Sequence, residues 1–156
     1  MTPALVGRAV EAAWLERAIG RQDIHGVVVR GPAGSGKTAL CEAVLAGVAA
    51  RGALTGAGKY GQGDSQSAFA PIMRALSGAT DAALGQLYDP QAGAAAMLAA
   101  LGPALAVLHS AGFEAGAAPL DVAPEVSAGR REGAARLTAA AVQHIRWLMG
   151  LGSPVV

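Results

Sequence analysis

Residues 31–38 read GPAGSGKT, and no other stretch of this 156-residue chain restricts its local folding so tightly. The pattern is G-x-x-x-x-G-K-[ST], filled by Gly31, Gly36, Lys37 and Thr38. Upstream, residues 24–30 (IHGVVVR) are β-branched and apolar, which predicts a short buried parallel strand. Downstream, Leu40, Val44, Leu45 and Val48 recur at helical spacing, which predicts a helix over 37–50 with one face on a sheet. Strand, glycine-rich turn and helix form the context in which this pattern becomes a phosphate-binding loop, or P-loop. A chance Gly-rich turn would lack both flanks.

Each residue type has a physical task. Gly31, Gly34 and Gly36 open backbone conformations closed to other residues, so the loop can wrap phosphates with its N–H groups turned inward. The helix beginning near Lys37 adds its positive N-terminal end. Lys37 is expected to reach the β- and γ-phosphate oxygens, and the Thr38 hydroxyl to ligate magnesium. The candidate nucleotide-binding set is Gly31, Pro32, Ala33, Gly34, Ser35, Gly36, Lys37 and Thr38, with ATP and Mg2+ as the expected cofactors. An Asn/Thr-Lys-x-Asp guanine motif is absent from the sequence. GTP stays open, since that motif can lie downstream.

Hydrolysis asks for more: an acid at the end of a second apolar strand, holding magnesium. Asp23 precedes the first expected strand, Asp64 follows a Gly-rich turn, Asp81 and Asp89 have polar or helical surroundings, and Asp121 follows Pro119-Leu120 in a loop. None ends an apolar run. No catalytic residue is identified, the acid is expected after Val156, and residues 1–156 alone are expected to turn over little ATP.

Composition narrows the partners. A net charge of +1 gives no bulk pull toward nucleic acid or an anionic membrane. One cysteine, Cys41, precludes an internal disulfide and fits a reducing compartment. The start, MTPALVGRAVEAAW, lacks the basic and apolar regions of a signal peptide. Residues 90–113 carry no charge, but they are mostly Ala and Gly, with Pro103 in the middle and His109 near the end. A membrane-spanning helix needs about 20 strongly apolar residues, so the stretch reads as an Ala-rich buried helix pair in a cytoplasmic protein.

Along the rest of the chain, residues 9–20 read as a helix with Val10, Trp14, Leu15 and Ile19 on one face, stopped at Gly20. Ala53–Ala57 reads as a weaker strand. Helices are expected from 69–77, 92–102, 104–110 and 131–149, with a break at Gly102-Pro103 and a loop over 112–129. On the last helix Leu137, Ala141, His144, Ile145 and Leu148 share a side. Val155-Val156 begin something apolar. The order predicts an α/β fold of the P-loop NTPase kind, a parallel sheet flanked by helices. It forms a single domain over 1–156 that stops before the acidic Walker B strand and is incomplete at its C-terminus.

Other candidates weigh toward structure. His25 has no His or Cys partner at ligand spacing, His144 lies on an apolar helix face, and Cys41 suits a small buried position. Lys59 and Tyr60 fit a nucleotide pocket or a surface turn equally well. Arg130, Arg131, Arg136 and Arg146 do not form one helical stripe, so a solvated face is preferred over a kinase lid.

Taken together, these residues resemble the AAA-type ATPase module of the STAND class, an origin-recognition-complex-like AAA domain. The "GR" box of that family is matched by LVGRAVEAAWLERAI, with Gly7 and Arg8, although Ala9 stands where the family often has Glu. After the loop, GAGKYGQGDSQSAFAPIMRAL and APEVSAGRREGAARLTAAAVQHIRWLMGLGSPVV are similar to later family segments in the same order. The resemblance implies that Val6, Gly7 and Arg8 lie near adenine and ribose. It also implies a nucleotide switch within a larger signalling protein, such as a LuxR-family transcriptional regulator or a multidomain kinase. Downstream domains and nucleotide-dependent self-association follow from it as expected partners, with no direct nucleic-acid or membrane contact. The alternatives are a P-loop small-molecule kinase and a non-catalytic nucleotide-binding fragment.

Overall fold

Proline and short polar residues punctuate this chain at the points where its helices begin. Pro71, Pro90 and Pro103 each lie in the first turn of a helix, where a missing N–H removes no intrahelical bond. Ahead of Pro90, the Asp89 carboxylate accepts from the N–H groups of Gln91 and Ala92, both at 3.0 Å. The computed structural model describes residues 7–21, 23, 24, 26–61, 69–115, 130–152 and 155. Among these residues six helices form: α1 (Ala9–Ile19), α2 (Lys37–Ala49), α3 (Ala70–Gln86), α4 (Pro90–Leu101), α5 (Pro103–Ser110) and α6 (Arg130–Gly150). Val6, His25, Asp64, Asp121 and most of the loop expected over 112–129 lie outside the described residues.

The chain divides into two compact units, one ending at Ala53 and one running from Leu54 to Val155. In the first, α1 packs on α2 through Leu15, Leu40 and Val44, with Ala12, Ile19, Val27 and Val29 around them. In the second, α3, α4, α5 and α6 enclose Met73, Met97, Leu101, Leu105, Leu108, Phe113 and Leu137. A smaller cluster joins Leu54, Ala79, Ala83 and Leu148. Burying side chains of this size is worth about 1.5–3 kcal/mol each, which is what holds these helices in place.

The expectation of an α/β fold with a parallel sheet flanked by helices is corrected: among the described residues there is no strand and no sheet. Residues 26–30 are extended but make no backbone hydrogen bond with any described residue. Val27 and Val29 pack on the α1–α2 cluster, whereas Val28 is 77% exposed. In place of the buried parallel strand that its composition predicts, the run alternates with period two, one face on helices and one in solvent. A strand also needs a neighbour to complete its ladder, and none of the described residues supplies one. The weaker strand expected at Ala53–Ala57 reduces to a single parallel bridge, Leu54 to Val155.

The helices follow expectation more closely. Gly20 ends α1, and α4 and α5 meet at Gly102-Pro103 with a bend of 98°. The expected 69–77 helix continues to Gln86, while on α1 Trp14 and Val10 face solvent and the buried positions are Leu15 and Ala18. No single helix among the described residues is long and apolar enough to cross a membrane.

Candidate functional site

The loop between the extended run and α2 is shaped by two glycines. Gly34 and Gly36 have φ of 75° and 80°, a region where any side chain would be strained. Gly36 stands at the N-terminal boundary of α2, and no side chain caps the helix. The N–H groups of Gly34, Gly36, Lys37, Thr38 and Ala39 have no acceptor among the described residues. A helix start normally recruits a capping oxygen for such donors. Here a concentration of unused N–H groups and the positive end of the α2 dipole lie together at an exposed loop.

Three carbonyls of the same loop, those of Gly31, Pro32 and Ser35, are occupied. Lys37 Nζ donates to the carbonyls of Gly31 at 2.9 Å and Pro32 at 2.7 Å. Ser35 N–H donates to the Pro32 carbonyl at 3.3 Å. Arg8 Nη2 donates to the Ser35 carbonyl at 2.7 Å, across 27 residues of chain. With three acceptors tied down and five donors free among the described residues, the loop is polarised toward an anion. Gly31, Pro32, Ala33, Gly34, Gly36 and Thr38 are exposed, and Ser35 and Lys37 are half-buried. Gly31 is also close to Ser35: a Cβ there would meet the Ser35 Oγ at 2.9 Å.

Of the residues named from the sequence, Arg8 and 31–38 are thus brought together; Gly7 adjoins Arg8 and has φ of 73°. The resemblance places Arg8 near the nucleotide, but the Ser35 carbonyl as its partner is visible only in the structure. A magnesium ion in a triphosphate site takes most of its ligands from phosphate and water, so the exposed Thr38 hydroxyl fits the part such a loop supplies. No group of three or more His, Cys, Asp or Glu among the described residues could hold a metal by itself.

The remaining candidates are engaged elsewhere. Asp23 is exposed and paired with Arg21, whose Nε lies 2.9 Å away; that guanidinium holds the Asp23 carboxyl below its ordinary value. Asp89 caps α4. Cys41 is half-buried on α2, and Arg136 and Arg146 are exposed on α6. The Lys59 carbonyl accepts from Arg74 Nη2 at 2.8 Å, and Tyr60 is exposed beside it.

His144 is fully buried between Phe113 and Trp147, with its Nε2 at 2.7 Å from Thr80 Oγ1. Burial pushes its pKa down to about 4. It belongs to the core of the second unit.

Comparison with known proteins gives one match. The family model described as "AAA ATPase domain" matches residues 4–156, nearly the whole chain. No curated protein and no solved structure matches the chain significantly.

Proposed function

The chain belongs to the AAA ATPase domain family, and from that premise we propose that residues 31–38 bind the triphosphate of ATP together with magnesium. The observation that carries the reading is the polarity of the loop: five N–H groups without acceptors among the described residues, beside three carbonyls held by Lys37 and Arg8. Phosphate oxygens supply the missing acceptors at little reorganisation cost. Lys37 exchanges its loop carbonyls for β- and γ-phosphate oxygens, and Thr38 provides a hydroxyl to the ion. Magnesium, when bound, neutralises charge between those phosphates. Val6, Gly7 and Arg8 lie near the base and ribose in this reading, by resemblance to the STAND class.

The same resemblance supports a role as a nucleotide switch in a signalling or transcriptional regulator. ATP and ADP differ by one phosphate at the Lys37 side of the loop. A site that senses that difference can favour two arrangements of the protein.

The test is titration of the 156-residue chain with ATP and magnesium. Lys37→Ala removes a charge-assisted donor and is expected to weaken binding by about 10- to 100-fold. Unchanged affinity in a folded variant would sink the assignment.

A further inference from the structure

Arg8 grips the loop from outside it. It stands at the N-terminal boundary of α1 and is half-buried. One arm of its guanidinium, Nη2, donates to the Ser35 carbonyl at 2.7 Å. The other, Nη1, lies 3.4 Å from Glu11 Oε1, in the first turn of α1. The planar fork of arginine suits this double engagement, since fixing one arm orients the other.

Ser35 is flanked by Gly34 and Gly36, both in the left-handed region. A Gly-X-Gly segment has unusually cheap access to alternative peptide orientations. In a trans peptide the carbonyl of one residue and the N–H of the next point in opposite directions. Holding the Ser35 carbonyl therefore also fixes the N–H of Gly36, one of the donors without an acceptor. If that plane turned over, a carbonyl would replace an N–H on the phosphate side, and attraction would become repulsion.

We propose that Arg8 is a positioning residue of the phosphate site, acting through the Ser35 carbonyl to keep the Gly36 N–H available to phosphate, with Glu11 holding the guanidinium in register. The proposal rests on reading 31–38 as a phosphate cradle. It differs from a direct contact between Arg8 and adenine or ribose, and a probe with phosphates but no base separates the two.

The experiment is calorimetric titration of the full chain with ATP and, separately, with inorganic tripolyphosphate, both with magnesium. Arg8→Ala is expected to weaken both ligands by a common factor of about tenfold, as loss of one charge-assisted bond implies. Arg8→Lys keeps a donor for Ser35 without the fork and is expected to recover part of both affinities. A loss confined to ATP would overturn the proposal in favour of a base or ribose contact, and unchanged affinity for both ligands would overturn it outright. Should Arg8→Ala fail to fold, Arg8→Lys against the wild type gives the same comparison: a common loss supports the proposal, and an ATP-selective loss or none overturns it. Wild-type chain that binds neither probe would instead remove the cradle reading, before any substitution is made.

Discussion

Thr80 and His144 show how one hydroxyl fixes the chemistry of a buried ring. Thr80 Oγ1 lies 2.8 Å from the Leu76 carbonyl and 2.7 Å from His144 Nε2. A hydroxyl has a single proton. Donating it to Leu76, Thr80 must accept from His144, so the ring carries its hydrogen on Nε2. Nδ1 is then a bare acceptor, and it is buried without a partner. Ser77, one turn earlier on α3, works the same way: it donates to the Met73 carbonyl at 2.8 Å and accepts from Glu114 N–H at 2.9 Å.

Protonating His144 would place a cation among Phe113, Trp147 and Thr80, with His109 as the other titratable ring beside Phe113. The folded pKa of His144, about 4, lies below the ordinary 6.5. The unfolded chain therefore takes up the proton first as pH falls, and stability is lost between about 6.5 and 4. The expected loss is about 2 kcal/mol between about pH 7 and pH 4.5, read by urea unfolding at those two values. His144→Phe should flatten that part of the pH dependence. An unaltered slope in the variant would assign the effect to other groups.

At the scale of elements, capping and close approach decide where segments sit. α4 depends on Asp89 for its first N–H groups. Asp89→Ala is expected to cost about 1 kcal/mol, measured as a shift in the unfolding midpoint, whereas Asp89→Asn should cost much less. Against α3 lies the extended stretch around Gly56 and Gly58. A Cβ at either position would overlap the backbone, at Ala75 and Pro71 respectively. Gly56 and Gly58 thus have a packing reason that composition alone does not disclose. The run at 26–30 is the opposite case: its residues favour extension, yet Val28 faces solvent and no described residue completes a ladder.

For the molecule as a whole, the proposed switch makes a measurable claim about the backbone. The N–H groups of Lys37, Thr38 and Ala39 have no acceptor among the described residues and should exchange hydrogen quickly in the free protein. Bound ATP is expected to slow them, and ADP to give a different pattern of protection in the first unit. Identical patterns with the two nucleotides would leave the switch with nothing to sense. In the second unit the core is built mainly from helix side chains, Met97, Leu105 and Leu108 among them, with Phe113 added from the segment after α5. The uncharged stretch over 90–113 is accounted for there, since α4 and α5 bend on each other and bury one side each.

The sequence by itself determined the glycine-shaped turn of the loop and the placement of most helices. GPAGSGKT specifies backbone geometry residue by residue, and proline, glycine and a 3.6-residue period mark helices locally. Tertiary structure alone decided what local pattern does not encode. It chose the buried face of α1, with Leu15 and Ala18 inside and Trp14 outside. It denied the Val27–Val29 run a sheet, because a ladder is a property of two segments and one segment's composition cannot supply the other. It also brought Arg8 to Ser35 and Thr80 to His144, contacts across 27 and 64 residues. Each depends on how helices pack, and no short stretch of either neighbourhood records its partner.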